Sequence, residues 1–113
     1  MPEHLAPVMR VTDANAALAW YRKLGFVKEW EHCFEPGHPL YVGIVRGDMR
    51  MHLSEHAGDA RPDTLVYIFV DDVDVAASAL GVTEIDEMPW GRDFEVTDPD
   101  DNRLRIGTAR RSP

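Results

Sequence analysis

Trp90 has the setting that most suggests a ligand. Pro89 precedes it and Gly91 follows, which places it at the entrance to a strand, and Glu84, Asp86 and Glu87 crowd it upstream. An indole at a strand mouth beside carboxylates suits a flat, positively charged guest. Stacking and cation–π contacts would add to screened attraction from the acids. Trp30, Tyr41 and Tyr67 also fall on or next to strand-like runs. Any one of them alone is explained by core packing, which large aromatics dominate. Together they suit the walls of a cleft.

Residues able to do covalent chemistry are thinly spread. Cys33 has no evident basic partner, and a lone cysteine is usually a small buried hydrophobe. Ser54 and Ser78 lack an elbow or a triad context, and there is no glycine-rich phosphate loop. His32, His38 and His56 fall on or beside turns, where a histidine ordinarily faces solvent. His52 and His56 are four apart, but on a strand and its exit, so the spacing is no zinc motif. His52 reads as a cleft-lining or satisfied interior residue. Asp71, Asp72 and Asp74 read as the acidic first turn of a helix.

Composition narrows the class. The 113 residues suit one domain with enough core to need no disulfide or metal staple. With 44% hydrophobic and 28% charged residues, this is an ordinary soluble globular composition. A lone cysteine, no long apolar run and no signal-peptide pattern lead us to expect a cytoplasmic protein without a membrane partner. The net charge of −8 disfavours nucleic acid and favours cationic partners, or simply keeps the chain soluble. The basic pair Arg110-Arg111 is too small to reverse this.

The elements that would position these residues come in two similar sets. Leu5–Val11 predicts a strand with Pro7 near its start, where a missing N–H is tolerated. Asp13 can cap a helix carrying Ala17, Leu18, Tyr21 and Leu24 at helical spacing, and Gly25 stops it. Strands follow over 26–33, 40–46 and 49–54, the last two joined by the tight turn Gly47-Asp48. After a polar linker at 55–63, Thr64–Val70 predicts a strand, Val73–Leu80 a helix stopped by Gly81, and Val82–Glu87 a further strand. A hairpin closes the set. Arg92–Thr97 alternates polar and apolar, Asp98–Asn102 is dense in turn formers, and Arg103–Ile106 alternates again to a stop at Gly107.

Val11-Thr12-Asp13 matches Val70-Asp71-Asp72, Leu24-Gly25-Phe26 matches Leu80-Gly81-Val82, and Met51-His52-Leu53 matches Leu104-Arg105-Ile106. Such a repeat fixes the architecture. The expectation is an α+β protein of two β-α-β-β-β modules, about 4–54 and 64–108, whose curved mixed sheets pair into one cleft.

These residues also carry a family likeness. Val11-Thr12-Asp13, Trp20–Phe26 and Asp98-Pro99-Asp100-Asp101-Asn102-Arg103-Leu104 resemble the vicinal-oxygen-chelate superfamily, which includes glyoxalase I, extradiol dioxygenases and the fosfomycin- and bleomycin-resistance proteins. Within it, the run Glu84–Phe94 (EIDEMPWGRDF) resembles most the bleomycin-binding branch. Asp101 stands where the family usually has glycine in this turn. If that place needs φ > 0, aspartate is among the few tolerated replacements.

The resemblance implies what to look for. Superfamily enzymes hold a divalent metal from four repeat-related strand positions, here Ala6, His52, Leu65 and Arg105. Two are aliphatic, Arg105 is a permanent cation, and His52 alone is short of the usual three or four donors. His4 could enter after a register slip of two residues. The resemblance therefore implies no resident metal or other cofactor, and points away from an enzyme. It implies a homodimeric binder of a cationic glycopeptide antibiotic, with any metal arriving inside the ligand and strands exchanged near Pro7. Tyr41, Tyr67 and Trp90 would line a crevice at the subunit interface, with Trp30, His52 and Arg105 as further cleft residues. The alternative is a small metal-dependent lyase, isomerase or dioxygenase with a displaced site.

Overall fold

The computed structural model describes residues 3–33, 35–36, 39–61 and 63–110, so His38 and Arg111 lie outside the described residues. The first half runs β1 (Val8–Arg10), α1 (Ala14–Tyr21) with a 3-10 turn at Arg22–Leu24, β2 (Val27–Cys33), β3 (Leu40–Arg46) and β4 (Met49–Ser54). The second runs β5 (Leu65–Phe69), α2 (Val73–Ala79), β6 (Asp86–Met88), β7 (Gly91–Thr97) and β8 (Arg103–Ala109). Each half makes a four-stranded mixed sheet, ordered β1-β4-β3-β2 and β5-β8-β7-β6. The parallel pairs are β1 with β4 and β5 with β8. Two repeated modules are thus the architecture.

The repetition reaches the helix ends. Asp13 caps α1 by accepting from Asn15 N–H at 3.0 Å and Ala16 N–H at 3.2 Å. Asp72 does the same for α2, accepting from Asp74 and Val75. Each helical segment is followed by a left-handed glycine, Gly25 at φ 88° and Gly81 at φ 71°, the conformation glycine reaches without a Cβ penalty. Asp101 is at φ 66°, so the turn does place an aspartate in the left-handed region.

Three boundaries differ from the sequence reading by more than one residue. β1 begins at Val8 because Pro7 has no N–H to donate; its carbonyl still accepts from His52 N–H at 2.9 Å, while Leu5 is 90% exposed. β6 is confined to Asp86–Met88, and Val82 does not open it, because its N–H closes α2 on the Ala77 carbonyl at 2.8 Å. Gly107 does not stop β8. Its carbonyl accepts from Val70 N–H at 2.8 Å, and the ladder with β7 continues to Ala109.

Alternation along the strands sorts the side chains. Val42, Ile44, Met51 and Leu53 are buried on the α1 side of the first sheet, and Ile68, Phe94, Leu104 and Ile106 on the α2 side of the second. The molecule measures 53 × 31 × 21 Å. At roughly 10 Å per layer its shortest dimension holds about two layers, a sheet and its helix. The face of each sheet away from its helix is therefore left open. Among the described residues, no helix is long and apolar enough to cross a membrane.

The modules are joined through the β7–β8 turn. Asp98, 3% exposed, accepts from Tyr21 Oη at 2.7 Å and Asn102 Nδ2 at 2.9 Å on one oxygen, and from the Asp100 and Asn102 N–H groups on the other. Asn102 Nδ2 also donates to the Arg10 carbonyl at 2.8 Å, and Asp100 accepts from Thr12. Burial, then the Asp98 charge, push the Tyr21 hydroxyl pKa far above its ordinary value, so it stays a donor.

Candidate functional site

All six residues singled out from the sequence lie on, or at the mouth of, the two open faces. On the first sheet, Gly43 on β3 stands opposite His52 on β4 and Trp30 on β2. The Trp30 ring lies across Gly43, where a Cβ would meet Nε1 at 2.6 Å and Cζ2 at 2.7 Å. Trp30 stacks on Tyr41 with centroids 5.7 Å apart and planes at 8°, and meets His52 edge-on at 5.0 Å. Tyr41 Oη and His52 Nδ1 are 2.7 Å apart. Trp30 remains 39% exposed, so this is a platform and not a core cluster.

The missing side chain at Gly43 makes that platform. In Gly43→Ala the new methyl displaces the Trp30 ring, and we expect the Tyr41 stack to be lost. The overall stability should change by no more than about 1 kcal/mol, because alanine suits a strand better than glycine and the ring is on the surface. Near-ultraviolet circular dichroism should change while the melting temperature stays close to that of the wild type.

Burial, then the neighbouring His4, hold the His52 imidazole below its ordinary pKa, with Glu29 pulling weakly the other way. The folded value lies under the unfolded one, so the fold favours neutral imidazole. This contribution is complete above about pH 6.5 and is lost as pH falls through the lower folded value. An NMR titration should give a His52 midpoint below that of a free histidine. His52→Gln should remove this part of the acid-side loss of stability; an unchanged acid limb would refute it.

On the second sheet, Leu65, Tyr67 and Phe69 project from β5 beside Arg103, Arg105 and Gly107 on β8. Tyr67 and Phe69 stack at 4.5 Å and 9°. Trp90 Nε1 donates to Tyr67 Oη at 2.9 Å, and Tyr67 Oη donates in turn to Asp93 on β7. Burial and then the Asp93 hydrogen bond raise the Tyr67 pKa. Phe69 is 50% exposed and Trp90 51%, whereas Asp93 is buried. Arg105 donates to Glu95 at 3.2 Å and Arg103 to the other oxygen at 3.3 Å. The two guanidiniums hold the Glu95 carboxyl below its usual range.

Two features differ from the sequence reading. Glu87 does not serve Trp90. It pairs with Arg92 at 3.3 Å, and Arg92 also pairs with Asp74 on α2, on the helix-covered side. The carboxylate coupled to Trp90 is Asp93, through Tyr67. Asp93 and Phe69 join the site only in the structure. For Phe69 the signal was available, since it is two residues after Tyr67 on one strand.

The four positions that the resemblance names carry two aliphatic side chains, one imidazole and one guanidinium. Register places Val8 opposite His52 and Tyr67 opposite Arg105, with Leu65 two residues earlier on the same face of β5 and Ala6 ahead of β1. Among the described residues, no group of three or more His, Cys, Asp or Glu could hold a metal ion.

A family profile described as "Glyoxalase superfamily protein" matches residues 2–112. The chain belongs to the glyoxalase superfamily. No curated protein sequence matches it. Among solved structures it is similar to the bleomycin-binding protein of bleomycin-producing Streptomyces verticillus complexed with copper(II)-bleomycin. That pair is 29% identical, with 98% of this chain and 100% of that one covered and a TM-score of 0.68. A glyoxylase/bleomycin resistance protein/dioxygenase domain from Frankia sp. EAN1pec gives a TM-score of 0.78 at 19% identity, covering 97% and 99%. An antibiotic-binding protein from Streptomyces sp. CB03234 gives 0.75 at 19% identity, covering 97% and 99%. At 19% identity the likeness establishes the fold alone. The superfamily thus supplies the scaffold, and the open aromatic faces are what this chain builds on it.

Proposed function

We propose that this superfamily member binds and sequesters a cationic glycopeptide antibiotic of the bleomycin type, without catalysing its conversion. The observation that carries the reading is the pair of exposed aromatic platforms, Trp30–Tyr41–His52 on one open sheet face and Tyr67–Phe69–Trp90 on the other. Each has the ring area to stack on a flat heteroaromatic group, and neither has the ligand set of a metal enzyme. A net charge of −8 favours a cationic guest. The similar Streptomyces verticillus protein is complexed with copper(II)-bleomycin.

The platforms are on different sheets, so in this reading a homodimer completes the site. The first sheet of one copy faces the second sheet of its partner, and a crevice forms between them. Exchange of the N-terminal strand between copies near Pro7 would tie the dimer together. The metal arrives within the antibiotic.

Titration with bleomycin, with and without copper, should quench tryptophan fluorescence saturably at micromolar ligand or below, and light scattering should give the mass of a dimer. Absence of quenching over that range would sink the binding claim. Stoichiometric nickel, zinc, manganese or iron on the purified protein, lost in His52→Ala, would favour the metal-dependent lyase, isomerase or dioxygenase instead.

A further inference from the structure

Trp90 is half exposed, yet it is tied at both its backbone and its ring. Its carbonyl accepts from Arg110 N–H at 2.5 Å, and its indole N–H is donated to Tyr67 Oη at 2.9 Å. The Tyr67 hydroxyl hydrogen is directed to Asp93, which is 3% exposed. Two glycines make this chain of contacts fit. At Gly107, opposite Asp93, a Cβ would meet Asp93 Cβ at 2.8 Å and Tyr67 Oη at 3.3 Å, and at Gly91 it would run into the Thr108 carbonyl. A buried carboxylate, a phenol, an exposed indole and two bare backbone positions thus converge on one geometry.

This arrangement also decides what the wall offers. The indole N–H and the Tyr67 hydrogen are both spent inside the protein, so a guest finds ring faces and no free donor from either. A sugar hydroxyl or a carboxylate gains little there. Hydrogen bonds in series polarise one another, and a carboxylate at the end of the series pushes electron density toward the indole, which strengthens its attraction for positive or electron-poor rings. Arg105 opposes this from β8, where it shares the one Glu95 carboxylate with Arg103.

We propose that Asp93 is a positioning residue: acting through Tyr67, it fixes Trp90 as a rigid wall and biases that wall toward planar cationic or electron-poor heteroaromatics. The positioning stands on its own, while the bias rests on the binding function proposed above and names the class of group that this wall takes.

Nitrogen-15 tryptophan labelling separates the two. The protein has three indole N–H signals, from Trp20, Trp30 and Trp90. The Trp90 signal, assigned by its loss in Trp90→Phe, should exchange slowly with solvent in the ligand-free wild type. In Asp93→Ala and Tyr67→Phe it should shift and exchange at least ten-fold faster, while the other two signals hold and report an intact fold. Asp93→Asn, which still accepts the Tyr67 hydrogen, should restore slow exchange. Fast Trp90 exchange in the wild type, or no change in either variant, would overturn the positioning role.

For the bias, N-methylquinolinium and its neutral counterpart quinoline are titrated at pH 8. The wild type should prefer the cation at least three-fold, and Asp93→Asn, with Trp90 still fixed, should lose that preference. An equal preference in both proteins, or no binding of either compound, would overturn the bias. Failure of bleomycin itself to bind would remove the proposed function and leave the exchange result intact.

Discussion

Asp98→Ala should lower the stability of this protein by about 4 kcal/mol, more than any other single polar substitution. Four donors converge on that one carboxylate: Tyr21 Oη, Asn102 Nδ2 and the N–H groups of Asp100 and Asn102. Tyr21 and Asn102 are 0% exposed, so water cannot readily take the place of the lost acceptor. Each buried donor left without a partner costs roughly 1–3 kcal/mol, partly offset by relaxation of the turn. Against a total of about 5–15 kcal/mol for a domain of this kind, the loss is a large fraction. At about 4–8 °C per kcal/mol it corresponds to a fall of roughly 15–30 °C in melting temperature.

The same carboxylate ties the turn of the second module to the helix of the first. The loss should therefore appear as a single cooperative transition at lower temperature, not as early melting of one module. Tyr21→Phe removes one of the four donors and should cost about 1–2 kcal/mol. Thermal denaturation by circular dichroism distinguishes these outcomes. A fall of only a few degrees in Asp98→Ala would show that the turn is not what holds the modules together.

The parts of this architecture that follow local rules were open to a sequence reading. Capping by Asp13 and Asp72, the glycine stops at 25 and 81, and the strand alternation all depend on near neighbours in the chain. The positive φ at Asp101 could be anticipated because few residues tolerate it. What stayed hidden depends on contacts across the sheet. Gly107 looked like a strand stop because its reason for being glycine, the Asp93 and Tyr67 side chains, comes from two other strands. Gly43 carried no signal for the same reason, since the Trp30 ring that covers it comes from a neighbouring strand. Asp93 looked like any solvent-facing acid on an alternating strand, and only its burial against Tyr67 separates it from Glu95. Of the acids just before Trp90, Glu87 turns to Arg92, whereas Asp86 stands opposite Asp93: proximity in sequence does not say which side of a sheet a charge faces.

Trp90→Ala should weaken bleomycin binding by at least about 30-fold, since a central aromatic wall is typically worth 2 kcal/mol or more when truncated. Folding should lose only about 1 kcal/mol, the net worth of one exposed hydrogen bond and a half-exposed ring. Trp30→Ala should behave alike on the other platform. Calorimetry measures both without relying on the removed fluorophore. The pair also tests how the crevice is assembled. If it lies between the first sheet of one copy and the second sheet of another, a heterodimer of the two variants has one crevice with both tryptophans and one with neither. Mixing two nearly inactive proteins, with exchange of subunits, should then restore tight sites to about a quarter of all crevices, because half the dimers are mixed and half of their crevices are intact. A site built within one chain gives the opposite result: every crevice in the mixture lacks one tryptophan, and no tight binding returns.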